Sequence, residues 1–154
     1  MQDSIPKLTL GWREWVALPD LGLPAIKAKV DSGAKTSVLH AYHTEQYQVD
    51  GVDIVMFLIH PIQKNYDFHV ECHAPIIDHR EVSDSGGHKE MRFIIESNIL
   101  IGNASWPIEL SLTNRDTMRF RMLLGRRAME NRVIIEPAVS YLNGKLYPRK
   151  LYQL

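Results

Sequence analysis

The chain has 154 residues, 45% hydrophobic and 23% charged, a composition that folds and argues against disorder. Eighteen basic residues balance eighteen acidic ones, so net charge supplies no bulk attraction to nucleic acid or to an anionic membrane. One cysteine, Cys72, excludes an intrachain disulfide framework, and no apolar run approaches the roughly 20 residues of a membrane helix.

The length predicts a single domain over 1–154. Short runs of Val, Ile, Leu, Tyr and Phe, broken by Gly, Pro, Asn and Asp, predict an all-β barrel or sandwich. The first strands are Leu8 to Leu10 and Glu14 to Leu18, and Pro19-Asp20-Leu21-Gly22 has turn composition. Ala25 to Val30 alternates Ile26, Ala28 and Val30 with Lys27 and Lys29, a half-buried strand running into Asp31. Asp53 to His60 is apolar enough for a central strand, and Asp67 to His73 is its candidate partner. The polar stretch 79–90 contains Gly86-Gly87 and predicts a hairpin tip. Strands follow at Phe93 to Ile95, Ile99 to Ile101, Ile108 to Leu112 and Phe120 to Leu124. Arg126 to Arg132 is the helix candidate, Val133 to Ile135 returns to strand, and Asn143-Gly144 between Tyr141 and Tyr147 predicts a type I′ hairpin.

The chemistry centres on Val30-Asp31-Ser32-Gly33-Ala34. Here an apolar strand ends at a carboxylate, followed by a glycine that permits a tight turn beside it. About 90 residues later, Met122-Leu123-Leu124-Gly125-Arg126 repeats the pattern of an apolar strand ending at glycine. Asp84-Ser85-Gly86 looks like a second copy of the aspartate motif, but His79-Arg80-Glu81-Val82-Ser83 is no apolar strand, and a hairpin tip is the better reading.

An apolar strand, Asp-Ser-Gly-Ala, a Gly-rich flap, and a second apolar run with Gly-Arg and one short helix occur here in the order found in retropepsins. The likeness covers roughly residues 8 to 135 and implies a closed retropepsin-like barrel. Gly11-Trp12-Arg13-Glu14, Ala28 to Ser37 and Met118 to Arg126 more closely resemble the bacterial RimB-like retropepsin family, often labelled "ATP-dependent zinc protease". The resemblance implies an aspartic peptidase with Asp31, Ser32 and Gly33 at the catalytic centre. It further implies substrate contacts from Lys29, Ala34, Lys35, Gly86, Gly87, His88, Leu124 and Arg126. Two close carboxylates share one proton, so the single Asp31 predicts a homodimer with one aspartate from each chain.

Retroviral enzymes carry an acidic residue four positions after the catalytic aspartate, where it pairs with the Arg of Gly-Arg. Lys35 stands there in this chain. Lys29, Lys35 and Arg126 thus predict a cationic cleft that favours acidic peptides. Arg115, Arg119, Arg121, Arg127 and Arg132 are either further cleft charge or solvated barrel surface. RimB-like proteins are associated with an ATP-grasp ligase that adds glutamates to a ribosomal protein, so a functional link to such a ligase and a poly-glutamate tail as substrate are expected.

Rival motifs are weak. Seven histidines include no His-Glu-x-x-His; His40 and His43, or Glu71-Cys72-His73, give no catalytic ligand set, so no metal is expected. Gly33-Ala34-Lys35-Thr36 lacks the first glycine of a phosphate-binding loop, so no nucleotide cofactor is expected. Cys72 reads as a core thiol. The tryptophans, with Tyr141, Tyr147 and Tyr152, read as core or interface packing. Met1 to Lys7 has no basic region leading into an apolar one, which predicts a cytoplasmic protein. Two alternatives stay open: a non-catalytic peptide-binding module with the same fold, and a metal-dependent hydrolase.

Overall fold

The computed structural model describes residues 6–84, 86–114 and 119–154; Ser85, Arg115 and Met118 lie outside the described residues. The chain begins with β1 (Leu8–Leu10) and β2 (Arg13–Leu18), then a 3-10 turn at Pro19–Leu21 and β3 (Leu23–Val30). Gly22 closes that turn at φ 70°, a conformation glycine adopts without strain. Next come β4 (Ser37–His40), β5 (His43–Val49), β6 (Val52–Ile59), β7 (Val70–Pro75), β8 (Asp78–Ser83), β9 (Lys89–Ile101) and β10 (Ala104–Thr113). The described chain ends with β11 (Met122–Leu124), α1 (Arg126–Met129), β12 (Val133–Ile135) and α2 (Pro148–Leu151).

Six strands close into a ring in the order β10, β4, β11, β3, β2, β9, with β9 pairing back to β10. This is an all-β barrel, one of the two architectures the strand pattern allows, and it has the retropepsin-like form that the resemblance implies. Among the described strands, closure leaves no free edge in the wall. β8 hangs outside the ring on β9 as the expected hairpin. A separate antiparallel sheet, β5-β6-β7, covers the barrel, and Asp53 to His60 does pair with the segment after Asp67. Phe57, Ile59, Ile94, Ile95, Ile99, Ile101 and Leu110 are fully buried. Each such side chain contributes about 1.5–3 kcal/mol relative to exposure. No helix of the described residues is long and apolar enough to cross a membrane.

Several local expectations change. Phe93 to Ile95 and Ile99 to Ile101 belong to one 13-residue strand, because Ser97 is buried within the same alternation. The helix at Arg126 stops at Met129, since Asn131 takes φ 63°, and a second short helix, α2, lies near the C-terminus. Tyr141 to Tyr147 forms no hairpin. The fully buried Glu14 carboxylate accepts the N–H groups of Leu142 and Asn143 at 3.1 Å each, and that of Gly11 at 2.7 Å. A side chain of β2 thus takes the amides that a turn would have used.

Candidate active site

The barrel brings the two glycine motifs together. β3 and β11 run parallel, with Val30 opposite Leu124. Just beyond, the Asp31 N–H donates to the Leu124 carbonyl at 2.9 Å. One carboxylate oxygen of Asp31 accepts the Gly33 N–H at 3.0 Å, and Ala34 N–H donates to the Asp31 carbonyl at 3.3 Å. The turn therefore holds the carboxylate in place while Ser32 and Gly33 stay exposed.

Gly125 is required by close approach. A Cβ there would lie 2.7 Å from the Thr36 carbonyl carbon and 2.9 Å from the Ser37 nitrogen. That proximity lets Arg126 N–H donate to Ala34 at 2.7 Å and Arg127 N–H donate to Lys35 at 3.1 Å. The Arg126 guanidinium donates to the Ser32 carbonyl at 3.2 Å. Where an acidic residue at position 35 would have paired with it, this arginine braces the backbone of the Asp31 loop.

A cavity of about 800 Å³ lies between this loop and β8. Asp31, Gly33, Ala34 and Lys35 line it, as do Arg80, Arg92, Leu123 and Arg127. Arg80 is held by Asp78 at 3.1 Å and Glu109 at 2.8 Å, and Arg92 by Glu90 at 2.6 Å. Among the described residues, Lys35 and Arg127 have no such carboxylate partner. They are the cations left to meet a ligand.

Glu90 and the buried Arg92 form a polar post beneath the flap. Burial pushes the Glu90 carboxyl up, but hydrogen bonds from Thr113 and Arg92, with the charge of Arg92, outweigh it and hold Glu90 below the usual carboxylate range. Arg92 also donates to Ser111 Oγ at 3.3 Å, and Ser111 Oγ donates to the Ser37 carbonyl at 3.3 Å.

The remaining predicted site residues fall elsewhere. Leu124 is fully buried in the core; strand alternation puts Leu123 on the cleft wall instead. Lys29 and Arg126 are exposed beyond the cleft lining. Gly86, Gly87 and His88 form the hairpin tip, with the Asp84 carboxylate accepting the Gly86 and His88 N–H groups at 2.8 and 2.9 Å. Asp84 is thus a turn-forming carboxylate. Arg121 is buried with its guanidinium 5.3 Å from the Tyr66 ring, and Arg132 covers Trp106 at 5.5 Å. Sequence reasoning missed Arg80 and Arg92 and left Arg127 undecided. Arg80 and Arg92 carried only a positive charge on the two strands of one hairpin, where they stand opposite each other, and Arg127 lies on α1.

Cys72 faces the core while Glu71 and His73 face outward, so the three do not converge. Burial, then the Glu71 charge, pushes the Cys72 thiol up to about 12. His73 instead joins Tyr47 and Glu71, at 2.8 Å each, on the open face of the β5-β6-β7 sheet.

The sequence matches the RimB-like family, described as retropepsin-like aspartic endopeptidase RimB, over residues 9–146. It is 45% identical over 98% of its length to a probable alpha-L-glutamate ligase of Desulfotalea psychrophila, and 46% identical over 91% to one of Parasynechococcus marenigrum. The chain spans about a third of the length of these curated relatives, 32% and 30% respectively. A crystal structure of a Legionella pneumophila protein of unknown function superposes with a TM-score of 0.74 at 23% identity, covering 90% of this chain and 99% of that one. That likeness concerns the fold.

Proposed function

Because this chain belongs to the RimB-like family of retropepsin-like aspartic endopeptidases, we propose that it hydrolyses peptide bonds in acidic peptides, glutamate tails among them. The working unit in this reading is a homodimer, with Asp31 of each chain supplying half of a carboxylate dyad. The two carboxylates share one proton. The ionised one takes a proton from water as the water oxygen attacks the scissile carbonyl carbon, and the protonated one polarises the carbonyl oxygen. The C–N bond then breaks, and the leaving nitrogen takes the proton that the dyad drew from water.

The observation that carries this reading is the placement of Asp31 on the wall of a cleft whose unpaired cations are Lys35 and Arg127. Glu81 and Asp84 also line the cleft, but Lys89 and the hairpin-tip amides engage them, which leaves Lys35 and Arg127 to favour carboxylate-bearing substrates. Relatives named probable alpha-L-glutamate ligase include a segment like this chain in about a third of their length. This supports a functional link to glutamate addition, in which the segment removes what a ligase adds.

The test is to incubate the protein, and its Asp31→Asn variant, with a synthetic peptide ending in α-linked glutamates and to follow products by mass spectrometry. Shortened products from the first, none from the second, and no effect of a chelator are expected. A peptide bound but left intact by the unsubstituted protein would identify a binding module instead. Loss of cleavage with chelator and its survival in Asp31→Asn would point to a metal-dependent hydrolase.

A further inference from the structure

A second cationic feature lies on the outer face of β2 and β3. Trp15 stands opposite Lys27 and Arg13 opposite Lys29, so these four side chains share one face of the barrel wall. A cavity of about 330 Å³ opens where this face meets residues 61–63 and 145–149, and Trp15, Lys27, Lys145, Tyr147 and Arg149 line it. Lys27 Nζ sits 5.1 Å from the Trp15 ring centre, and Lys145 Nζ 5.2 Å from that of Tyr147. No carboxylate lines the cavity. Among the described residues, Lys27, Lys145 and Arg149 make no ion pair. In a chain of zero net charge, three cations without an acid among them form a local excess.

Aromatic walls with cations at the rim suit a short apolar stem that ends in a carboxylate. A glutamate side chain has that form: its methylenes lie on the exposed Tyr147 ring and its carboxylate reaches the cations at the rim. The same face continues along β3 through the exposed Lys29, and the strand ends one residue before Asp31. Lys27 and Asp31 are four residues apart, about 13 Å along a strand. That is the length of about four residues of extended peptide.

We propose that this pocket is an exosite for the distal end of an acidic peptide tail whose scissile bond lies at Asp31. The inference rests on the reading of Asp31 as the hydrolytic centre. It adds that tails must exceed a threshold of about four to five residues to gain the second anchor.

The experiment uses the full chain carrying Asp31→Asn, so that hydrolysis does not intervene. Binding of fluorescent oligoglutamates of increasing length is followed by anisotropy. Affinity should step upward once the tail passes the threshold and should weaken as salt is added. Adding Lys27→Gln, Lys145→Gln and Arg149→Gln should lower the ratio of long-tail to short-tail affinity by about tenfold, the yield of three exposed charge pairs. An unchanged step in that variant, or equally tight binding of an oligonucleotide of matched charge, would overturn the exosite. Cleavage by the protein with Asp31 intact reports separately on the hydrolytic reading, because the binding step needs no hydrolysis.

Discussion

The Ser37 hydroxyl accepts the Gly125 N–H at 2.9 Å, and the bond is buried. It joins the start of β4 to the residue between β11 and α1, directly behind the Asp31 turn. Through its carbonyl, Ser37 also meets Ser111, which accepts from Arg92 of the flap strand. One serine therefore connects the second glycine motif to Ser111 and, through it, to Arg92 on the cleft lining.

Ser37→Ala leaves the Gly125 N–H buried without that acceptor. A loss of about 1–3 kcal/mol in unfolding free energy is expected. Urea denaturation monitored by tryptophan fluorescence measures it, and an unchanged midpoint would show that the bond is dispensable.

The Glu90–Arg92 pair gives a pH-dependent contribution. The folded Glu90 pKa lies below its unfolded value of about 4.3, so the stabilisation is full above that value and fades as pH falls through the folded one. Arg92→Met should cost about 1–3 kcal/mol at neutral pH, less than a fully buried pair because the Glu90 side chain is 42% exposed. The deficit should shrink on acidification. A deficit that stays constant from neutral to acid pH would contradict this account.

Glu14 is a structural carboxylate. Glu14→Ala strips acceptors from the amides of Gly11, Leu142 and Asn143, at an expected cost of about 2–4 kcal/mol. Hydrogen exchange should accelerate at those three amides before it does in the barrel strands.

The dimer reading makes a mixing prediction. Equal amounts of unsubstituted and Asp31→Asn protein, allowed to exchange subunits, leave about a quarter of dimers with two aspartates. Peptidase activity at constant total protein should fall to that fraction. Retention of half the activity would mean that each chain works alone.

Cys72 should resist thiol reagents in the native protein at mildly alkaline pH, because burial holds its pKa at about 12 and the thiolate is the reactive form. Reaction should follow unfolding, and prompt labelling of the native protein would refute it.

The Asp31 turn was legible in the sequence because an apolar strand, a carboxylate and a glycine adjoin one another in the chain. β4 was not, since Ser37 to His40 is buried at every position and shows no alternation. β5 escaped for the opposite reason: all seven of its residues are exposed, so it has no apolar face to betray it. The Asn143-Gly144 hairpin failed because Glu14, some 130 positions away, claims the amides of Leu142 and Asn143. The cleft shows the same limit. Lys35 is visible beside Asp31, whereas Arg80 and Arg92 reach the cavity only through the folding of β8 onto β9.

β9 serves two antiparallel neighbours of one sheet without interruption. Its first half, up to Ile94, pairs with β8, and from Ile94 onward it pairs with β10. Two residues before that changeover, Arg92 is pinned at 4% exposure. The flap is thus the overhanging end of a barrel stave, tied to β10 through Arg92 and Ser111, Glu90 and Thr113, and Arg80 and Glu109.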